Sequence, residues 1–175
     1  MLSLHLSKKI DMNDNIKEIY LAGGCFWGTE HYFKMIKGVI FTEVGYANSI
    51  VENPSYKMVC EGNTMAAETV HIKYDMSLIS LETLLDMYFV SIDPTSINRQ
   101  GHDVGVQYRT GIYYTDENDV ATINKVLLEQ QQKYSEEIVV EVMPLENFYP
   151  AEDYHQDYLT KNPNGYCHLP LELFE

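Results

Sequence analysis

The sequence predicts an α+β fold: a two-layer sandwich in which helices pack on a mixed sheet of the ferredoxin-like kind. Segments with strand patterns alternate with segments of helical periodicity along the 175 residues. In ETVHIKY, residues 68–74, apolar side chains recur at every second position. That alternation is typical of a strand with one buried face, because strands of a parallel sheet are apolar throughout.

The first elements are a strand, a helix and a second strand. Residues 18–22 form a short apolar strand that ends at a pair of glycines. A helix is expected from Cys25 to Gly38, because glycine commonly follows the last turn of a helix. Residues 39–46 are apolar and β-branched, and they predict the next strand.

The strand at residues 68–74 and a helix after it complete the first half. Val70 and Ile72 share the apolar face of this strand, and Glu68 falls on the same face. Leucines and a tyrosine at helical spacing predict the following helix, from about residue 81.

The second half begins with a long loop at residues 93–107, which leads into a strand at 108–114. Asp116 is placed to cap the next helix, because its side chain can accept from a free backbone N–H. A strand at 137–143 and a short helix at 151–159 follow.

The chain is expected to form one domain over residues 16–175, since this length allows a sizeable core. Residues 1–15 are interpreted as a loose polar lead-in. Residues 162–175 contain proline and glycine, and they predict a long irregular C-terminal tail that is mobile.

Composition excludes several classes of function. The formal net charge is −14 at pH 7, which is unfavourable for binding nucleic acid or an anionic membrane surface. No segment approaches the about 18 apolar residues of a membrane helix, and the N-terminus has no secretory pattern. We therefore expect a cytoplasmic protein, and a monomer.

Three cysteines, Cys25, Cys60 and Cys167, are widely spaced and contain no CxxC pair. This pattern does not fit a disulfide framework or a zinc ribbon, and no ligand spacing predicts a metal site. In a reducing compartment, a disulfide between such cysteines would be transient and catalytic.

The segment AGGCFWGTEHYF contains the strongest candidate for chemistry. Cys25 lies between the end of a strand and the first turn of a helix, where free N–H groups stabilise a thiolate. Gly23 and Gly24 allow a sharp turn and a close approach to a ligand. Phe26 and Trp27 can wall a small apolar pocket beside the sulfur. The alternative is a buried, inert cysteine with both aromatics in the core.

Glu68 is the candidate general acid. If it is buried with the apolar face of its strand, desolvation raises its pKa and keeps the carboxyl protonated near neutral pH. The alternative places Glu68 at a strand end, in water.

Several segments of the chain resemble the motifs of a known family. GCFWGTE is similar to the signature of the peptide methionine-S-sulfoxide reductases of the A class. The likeness covers roughly residues 18–168, in the order GYANSIVENPSYKMVC, AAETVHIKYD, DPTSINRQGHDVGVQYRTGIYY, FYPAEDYHQDYL and NPNGYCH.

The resemblance implies that Cys25 attacks the sulfur of methionine sulfoxide and that Glu68 protonates its oxygen. It also implies that Tyr56 and Tyr108 donate hydrogen bonds to this oxygen, and that Asp103 shapes the same polar network. Without the resemblance, the tyrosines and Asp103 would be ordinary core, surface or turn residues.

Further roles are implied for the substrate and for recycling. Phe26, Trp27 and Gly24 would hold the substrate, with the aromatics against its S-methyl group. Cys25 would become a sulfenic acid, which Cys167 would resolve as a disulfide. Thioredoxin or another dithiol would reduce that disulfide, with no bound cofactor. The substrate would be the S epimer, free or in oxidised proteins, and the function would be repair.

Other residues at motif positions have smaller roles. Cys60 is interpreted as a small core residue, and His155 as a neighbour of the site without a catalytic role.

Four residues depart from the usual pattern of the family: Ile92, His102, Val106 and Ser49. None removes a proposed catalytic group, and together they bear on the hydrogen bonding in the loop around Asp103 and on the affinity for substrate.

The residues alone are also compatible with three other functions. A thiol hydrolase would need a histidine base paired with Cys25. A peroxide-reducing protein or redox sensor would use the same two cysteines without the aromatic wall. A binding module of the same fold would not need Cys25 at all.

Overall fold

The computed structural model describes residues 14–175, so the predicted lead-in at 1–15 lies almost wholly outside the described residues. The strands of the main sheet are β1 (Ile16–Gly23), β2 (Val39–Ala47), β3 (Ala67–Asp75), β6 (Thr110–Tyr114), β7 (Glu141–Pro144) and β8 (Phe148–Pro150). A separate small hairpin consists of β4 (Arg99–Gln100) and β5 (Asp103–Val104).

The main sheet has the order β7-β6-β1-β3-β2-β8. All neighbours are antiparallel except β6 and β7, which are parallel, so the predicted mixed sheet is confirmed. The helices within the described residues are α1 (Phe26–Lys34), α2 (Tyr56–Cys60), α3 (Leu81–Val90), α4 (Val120–Gln131) and α5 (Tyr158–Lys161). No helix among them combines the length and the apolar composition needed to cross a membrane.

The main core lies between one face of the sheet and the helices. Val70 and Ile72 of β3 are fully buried in it, as the alternation predicted, together with the apolar faces of α1, α3 and α4. Burial of these side chains is the main stabilising contribution, about 1.5–3 kcal/mol for each large one.

The second face of the central strands is also covered, so the prediction of one-sided burial is wrong for β3. His71 points to that face, where its ring stacks on Tyr20 at 4.2 Å between centroids. Phe148 packs edge-on against Tyr20 and extends a small second cluster. A central antiparallel strand can therefore alternate in polarity and still be buried on both faces.

Several helix ends differ from the prediction. Helix α1 ends at Lys34 rather than Gly38, because the N–H groups of Met35 and Ile36 bond to carbonyls three residues back and tighten the last turn. Gly38, at φ +104°, then reverses the chain into β2. Asp116 does cap, but it caps a 3₁₀ turn at Glu117–Asp119 that precedes α4.

Two elements of the second half are shorter than predicted. The segment before Glu141 does not join β7, because the N–H of Val139 donates to Pro94 in the long loop. The helix predicted at 151–159 is broken at Asp157, which has φ +52°. Its N–H donates to the buried carboxylate of Glu30, and this tertiary bond outweighs local helix preference.

The segment from residue 162 to the C-terminus has little regular structure apart from a 3₁₀ turn at Leu171–Phe174. It lies on the domain: Leu169 is buried in the main core, and Phe174 packs edge-on against Tyr32 of α1. These contacts place Cys167 and His168 beside the start of α1.

Candidate active site

The loop between β1 and α1 positions Cys25. Gly24 turns the chain at φ +89°, and a Cβ there would lie only 2.7 Å from the Cβ of Gln100. Glycine is therefore required at this position. Cys25 follows as the N-cap residue of α1, and its side chain is buried.

The position of Cys25 at the start of α1 is not enough to ionise its thiol. Burial raises its pKa above the ordinary value, and the nearby carboxylate of Glu68 raises it further. The N–H groups of Trp27 and Gly28 lower the pKa, as the helix position predicted, but they do not outweigh burial. The thiol of Cys25 is therefore protonated in the free protein.

Glu68 lies on β3, directly opposite Tyr46 of β2, and is buried. Its Oε1 accepts from the N–H of Phe26 at 3.2 Å, whereas its buried Oε2 has no partner among the described residues. Burial raises the pKa of Glu68 to about 8, and the charge of Asp103 adds to this. The carboxyl is therefore protonated at neutral pH.

One cleft of about 120 Å³ brings the predicted residues together. It is lined by Cys25, Phe26, Trp27, Tyr56, Glu68, Asp103, Tyr108 and Tyr166. Tyr166 is the residue of this cleft that the sequence interpretation missed, although it directly precedes Cys167 in GYCH. Cys167 and Gly24 do not line the cleft.

The tyrosines of the cleft are held as neutral donors. Burial raises the pKa of Tyr108, and the charge of Glu68 adds to it. The pKa of Tyr56 is raised by burial and by the thiol of Cys60. The hydroxyl of Tyr166 donates to Oδ2 of Asp103 at 3.0 Å, and burial with this bond raises its pKa to about 12. All three phenols remain protonated at physiological pH.

A second set of aromatic contacts fixes the apolar wall. The indole Nε1–H of Trp27 donates to Nδ1 of His155 at 2.9 Å, and the ring stacks on Tyr158 at 3.7 Å. His155 is fully buried, and burial lowers its pKa, so its imidazole is neutral. The sequence interpretation placed His155 beside the site but missed Tyr158, three residues later in HQDY.

Cys167 lies beside the first turn of α1, half-buried. A Cβ on Gly28 would lie 3.0 Å from the Sγ of Cys167 and 2.8 Å from Nδ1 of His168. The bare α-carbon of Gly28 thus admits the tail close to Cys25. All three cysteines are free thiols, and burial raises the pKa of Cys167.

Cys60 is exposed, so its interpretation as a core residue is wrong. Helix α2 is a single surface turn in which only Val59 is buried.

The residues that depart from the family pattern lie outside the cleft. Ile92 is buried beneath β1, where a Cβ on Gly23 would approach it to 3.1 Å. His102 is exposed, and Ser49 donates its hydroxyl to the carbonyl of Val51. The carbonyl of Val106 accepts from Arg109.

A buried thiol, a protonated carboxyl and neutral phenols in one small cleft define a thiol-dependent oxidoreductase. The sequence profile of the family described as peptide methionine sulfoxide reductase matches residues 17–175. This chain belongs to that family.

Individual relatives agree with this assignment. The peptide methionine sulfoxide reductase MsrA of Clostridium botulinum (strain Okra / Type B1) is 57% identical over 157 residues, which is 90% of this chain and 100% of that protein. Among solved structures, reduced Mxr1 from Saccharomyces cerevisiae has a TM-score of 0.84 at 40% identity, covering 89% of this chain and 90% of that one. Mxr1 in complex with Trx2 has a TM-score of 0.60 at 29% identity, covering 86% and 91%.

Proposed function

We propose that this enzyme reduces the S epimer of methionine sulfoxide, free or in oxidised proteins, to methionine through the thiol of Cys25. The observation that supports this best is the meeting of Cys25, Glu68 and the ring of Trp27 in one cleft. Membership of the peptide methionine sulfoxide reductase family supplies the substrate class.

The first step transfers the sulfoxide oxygen to Cys25. The sulfur lone pair of Cys25 attacks the electrophilic sulfoxide sulfur while Glu68 gives a proton to the oxygen, which forms an S–S bond and a hydroxyl on the substrate sulfur. The hydroxyl then passes to the sulfur of Cys25 as the S–S bond breaks, and methionine leaves with the electron pair. Cys25 becomes a sulfenic acid, and its thiol proton returns to the carboxylate of Glu68. Because Glu68 is protonated before the reaction, it carries no charge that opposes the approach of electron density from the thiol of Cys25.

The phenols of Tyr56 and Tyr108 donate hydrogen bonds to the sulfoxide oxygen as negative charge develops on it. Donors aimed at developing charge in a desolvated cleft stabilise the transition state, with about 2.7–4 kcal/mol lost when one is removed. Asp103, held by the hydroxyl of Tyr166, orders the polar side of the same cleft.

The apolar side of the cleft holds the S-methyl group. Phe26 is buried and fixed, and Trp27 is held by its hydrogen bond to His155 and its stacking on Tyr158. A wall that cannot rotate places the methyl group on one side and the oxygen on the other. That arrangement selects one epimer at sulfur.

Recycling uses Cys167. Its thiolate attacks the sulfenic acid of Cys25, a disulfide forms, and water leaves with the oxygen. The placement of Cys167 against Gly28 supports this role. Thioredoxin then supplies two electrons by dithiol exchange, a step suggested by the complex of the relative Mxr1 with thioredoxin Trx2. No bound cofactor takes part in this scheme.

The tail at residues 162–175 moves during this cycle. Its scarce regular structure and the position of Cys167 beside the first turn of α1 support this movement. The enzyme works as a cytoplasmic monomer with one catalytic domain over residues 16–175. Its central strands, β1, β2, β3 and β6 with α1 and α3, form a ferredoxin-like unit.

A turnover assay with racemic methionine sulfoxide and a small dithiol tests the proposal, with the two epimers separated by chromatography. We expect only the S epimer to be consumed and methionine to appear in equal amount. Cys25→Ser abolishes turnover, whereas Cys60→Ser, at an exposed cysteine, leaves it unchanged. Consumption of neither epimer, with rapid reaction of Cys25 with peroxide, would instead support a peroxide-reducing function.

A further inference from the structure

Three donor groups of the kinds that bind zinc lie close together around Cys25, and two of them line the cleft. The Sγ of Cys25, a carboxylate oxygen of Asp103 and a ring nitrogen of His168 all lie within 4.8 Å of one another. They come from the start of α1, from β5 and from the tail, so no spacing in the sequence could have indicated a metal site. The proposed reaction uses Cys25 and Asp103 but gives His168 no role.

The hydrogen bonding of His168 prepares it as a ligand. Its Nε2 lies 3.0 Å from the carbonyl oxygen of Gly23, and since a carbonyl can only accept, Nε2 carries the proton. Nδ1 therefore carries a lone pair, and it is buried without a partner among the described residues. Histidines that bind metals in proteins commonly donate their second ring N–H to a backbone carbonyl in this way.

The separations suit a zinc ion after a small adjustment. Bonds of about 2.0–2.3 Å to sulfur, nitrogen and oxygen place tetrahedral donors about 3.3–3.8 Å apart. Groups that lie up to 4.8 Å apart need to approach one another by at most about 1.5 Å, which side-chain rotation can supply. Asp103 has two carboxylate oxygens, so one can bind the ion while Oδ2 accepts from Tyr166, and a water would be the fourth ligand.

We propose that Cys25, Asp103 and His168 form a binding site for Zn²⁺ that reversibly inhibits the enzyme. Zinc forms a bond to the sulfur of Cys25 and displaces the thiol proton to solvent, with no change in oxidation state. The bound sulfur donates electron density to the metal and is shielded by it, so it is a poorer nucleophile toward a sulfoxide, and a chelator restores the free thiol. The net charge of −14 favours the approach of a divalent cation.

Binding to the fully reduced, full-length protein tests this site without reference to activity. Titration with Co²⁺ alone gives visible bands of a tetrahedral ion and a sulfur-to-cobalt charge-transfer band, which Zn²⁺ abolishes by displacement. Calorimetry with Zn²⁺ in two buffers of different ionisation enthalpy reports one ion bound per chain and the release of a proton.

Variants identify the ligands. Cys25→Ser removes the charge-transfer band, and His168→Gln weakens Zn²⁺ binding at least tenfold, because it keeps an N–H for Gly23 but lacks the Nδ1 lone pair. His102→Gln is the matched control, since His102 is exposed beside Asp103, and it leaves the affinity unchanged. Unaltered binding by His168→Gln, or loss of the cobalt band in Cys167→Ser, would overturn the proposed site. A thermal melt of each variant shows that it is folded.

Discussion

Replacing Glu68 by glutamine should make the enzyme more stable at neutral pH while it removes the proton donor. The folded pKa of Glu68 is about 8, against an ordinary value of 4.5. Because the folded state holds this proton more tightly than the unfolded state, the contribution of Glu68 to stability is greatest below pH 4.5. It is lost progressively as the pH rises to about 8, and above that it no longer changes.

The magnitude follows from the pKa difference. Between pH 4.5 and about 8, the wild-type chain loses about 1.4 kcal/mol of unfolding free energy per pH unit from this group. Glutamine does not titrate, and its oxygen can still accept from the N–H of Phe26. The melting temperature of Glu68→Gln relative to wild type should therefore rise by about 3–6 °C for each pH unit over this window.

The assay is a pair of thermal melts across pH 5 to pH 8, with single-turnover rates measured on the same samples. Glu68→Gln should slow the chemical step by about 10²–10⁴-fold at neutral pH, and the wild-type rate should fall above a pKa of about 8. A constant melting-temperature difference across the window would refute the raised pKa. An unchanged rate would refute the role as acid.

Three further variants test the geometry of the cleft. Gly24→Ala places a Cβ at φ +89° where there is no room for it, so it should cost about 3 kcal/mol of stability in a denaturant titration. Gly62→Ala is the control, at φ +79° in open space, and should cost about 1 kcal/mol. Equal losses in the two variants would contradict the packing argument. Tyr166→Phe should lower kcat/KM about fivefold, since Asp103 loses a hydrogen bond worth about 1 kcal/mol; an unchanged value would show that this bond does not order the cleft. Trp27→Phe keeps an aromatic ring but loses the hydrogen bond to His155, so KM for the sulfoxide should rise about fivefold with a smaller change in kcat. A fall in kcat alone would contradict a binding role for Trp27.

Local patterns predicted much of the fold and the centre of the site. The alternation in ETVHIKY placed Glu68 on the buried face of its strand, and the structure buries it there. The pattern could not show that the opposite face, with His71, is covered as well, because its cover comes from Phe148 far along the chain.

Long-range hydrogen bonds account for the features that the sequence did not predict. The break at Asp157 depends on the carboxylate of Glu30, and the fixing of Trp27 depends on His155. Both partners lie more than a hundred residues away, so no local periodicity contains the information. The nearness of His168 to Cys25 has the same origin, since it follows from the course of the tail over α1.

The central claim is that the sulfur of Cys25 takes the oxygen from the substrate and that Cys167 removes it. Mass spectrometry of Cys167→Ser after reaction with excess sulfoxide, without any dithiol, tests this directly. The account predicts one methionine formed per protein molecule and one added oxygen on the peptide that contains Cys25, as a sulfenic acid that a dimedone-type reagent traps. Methionine formation with the oxygen on Cys60, or with Cys25 left unmodified, would contradict it.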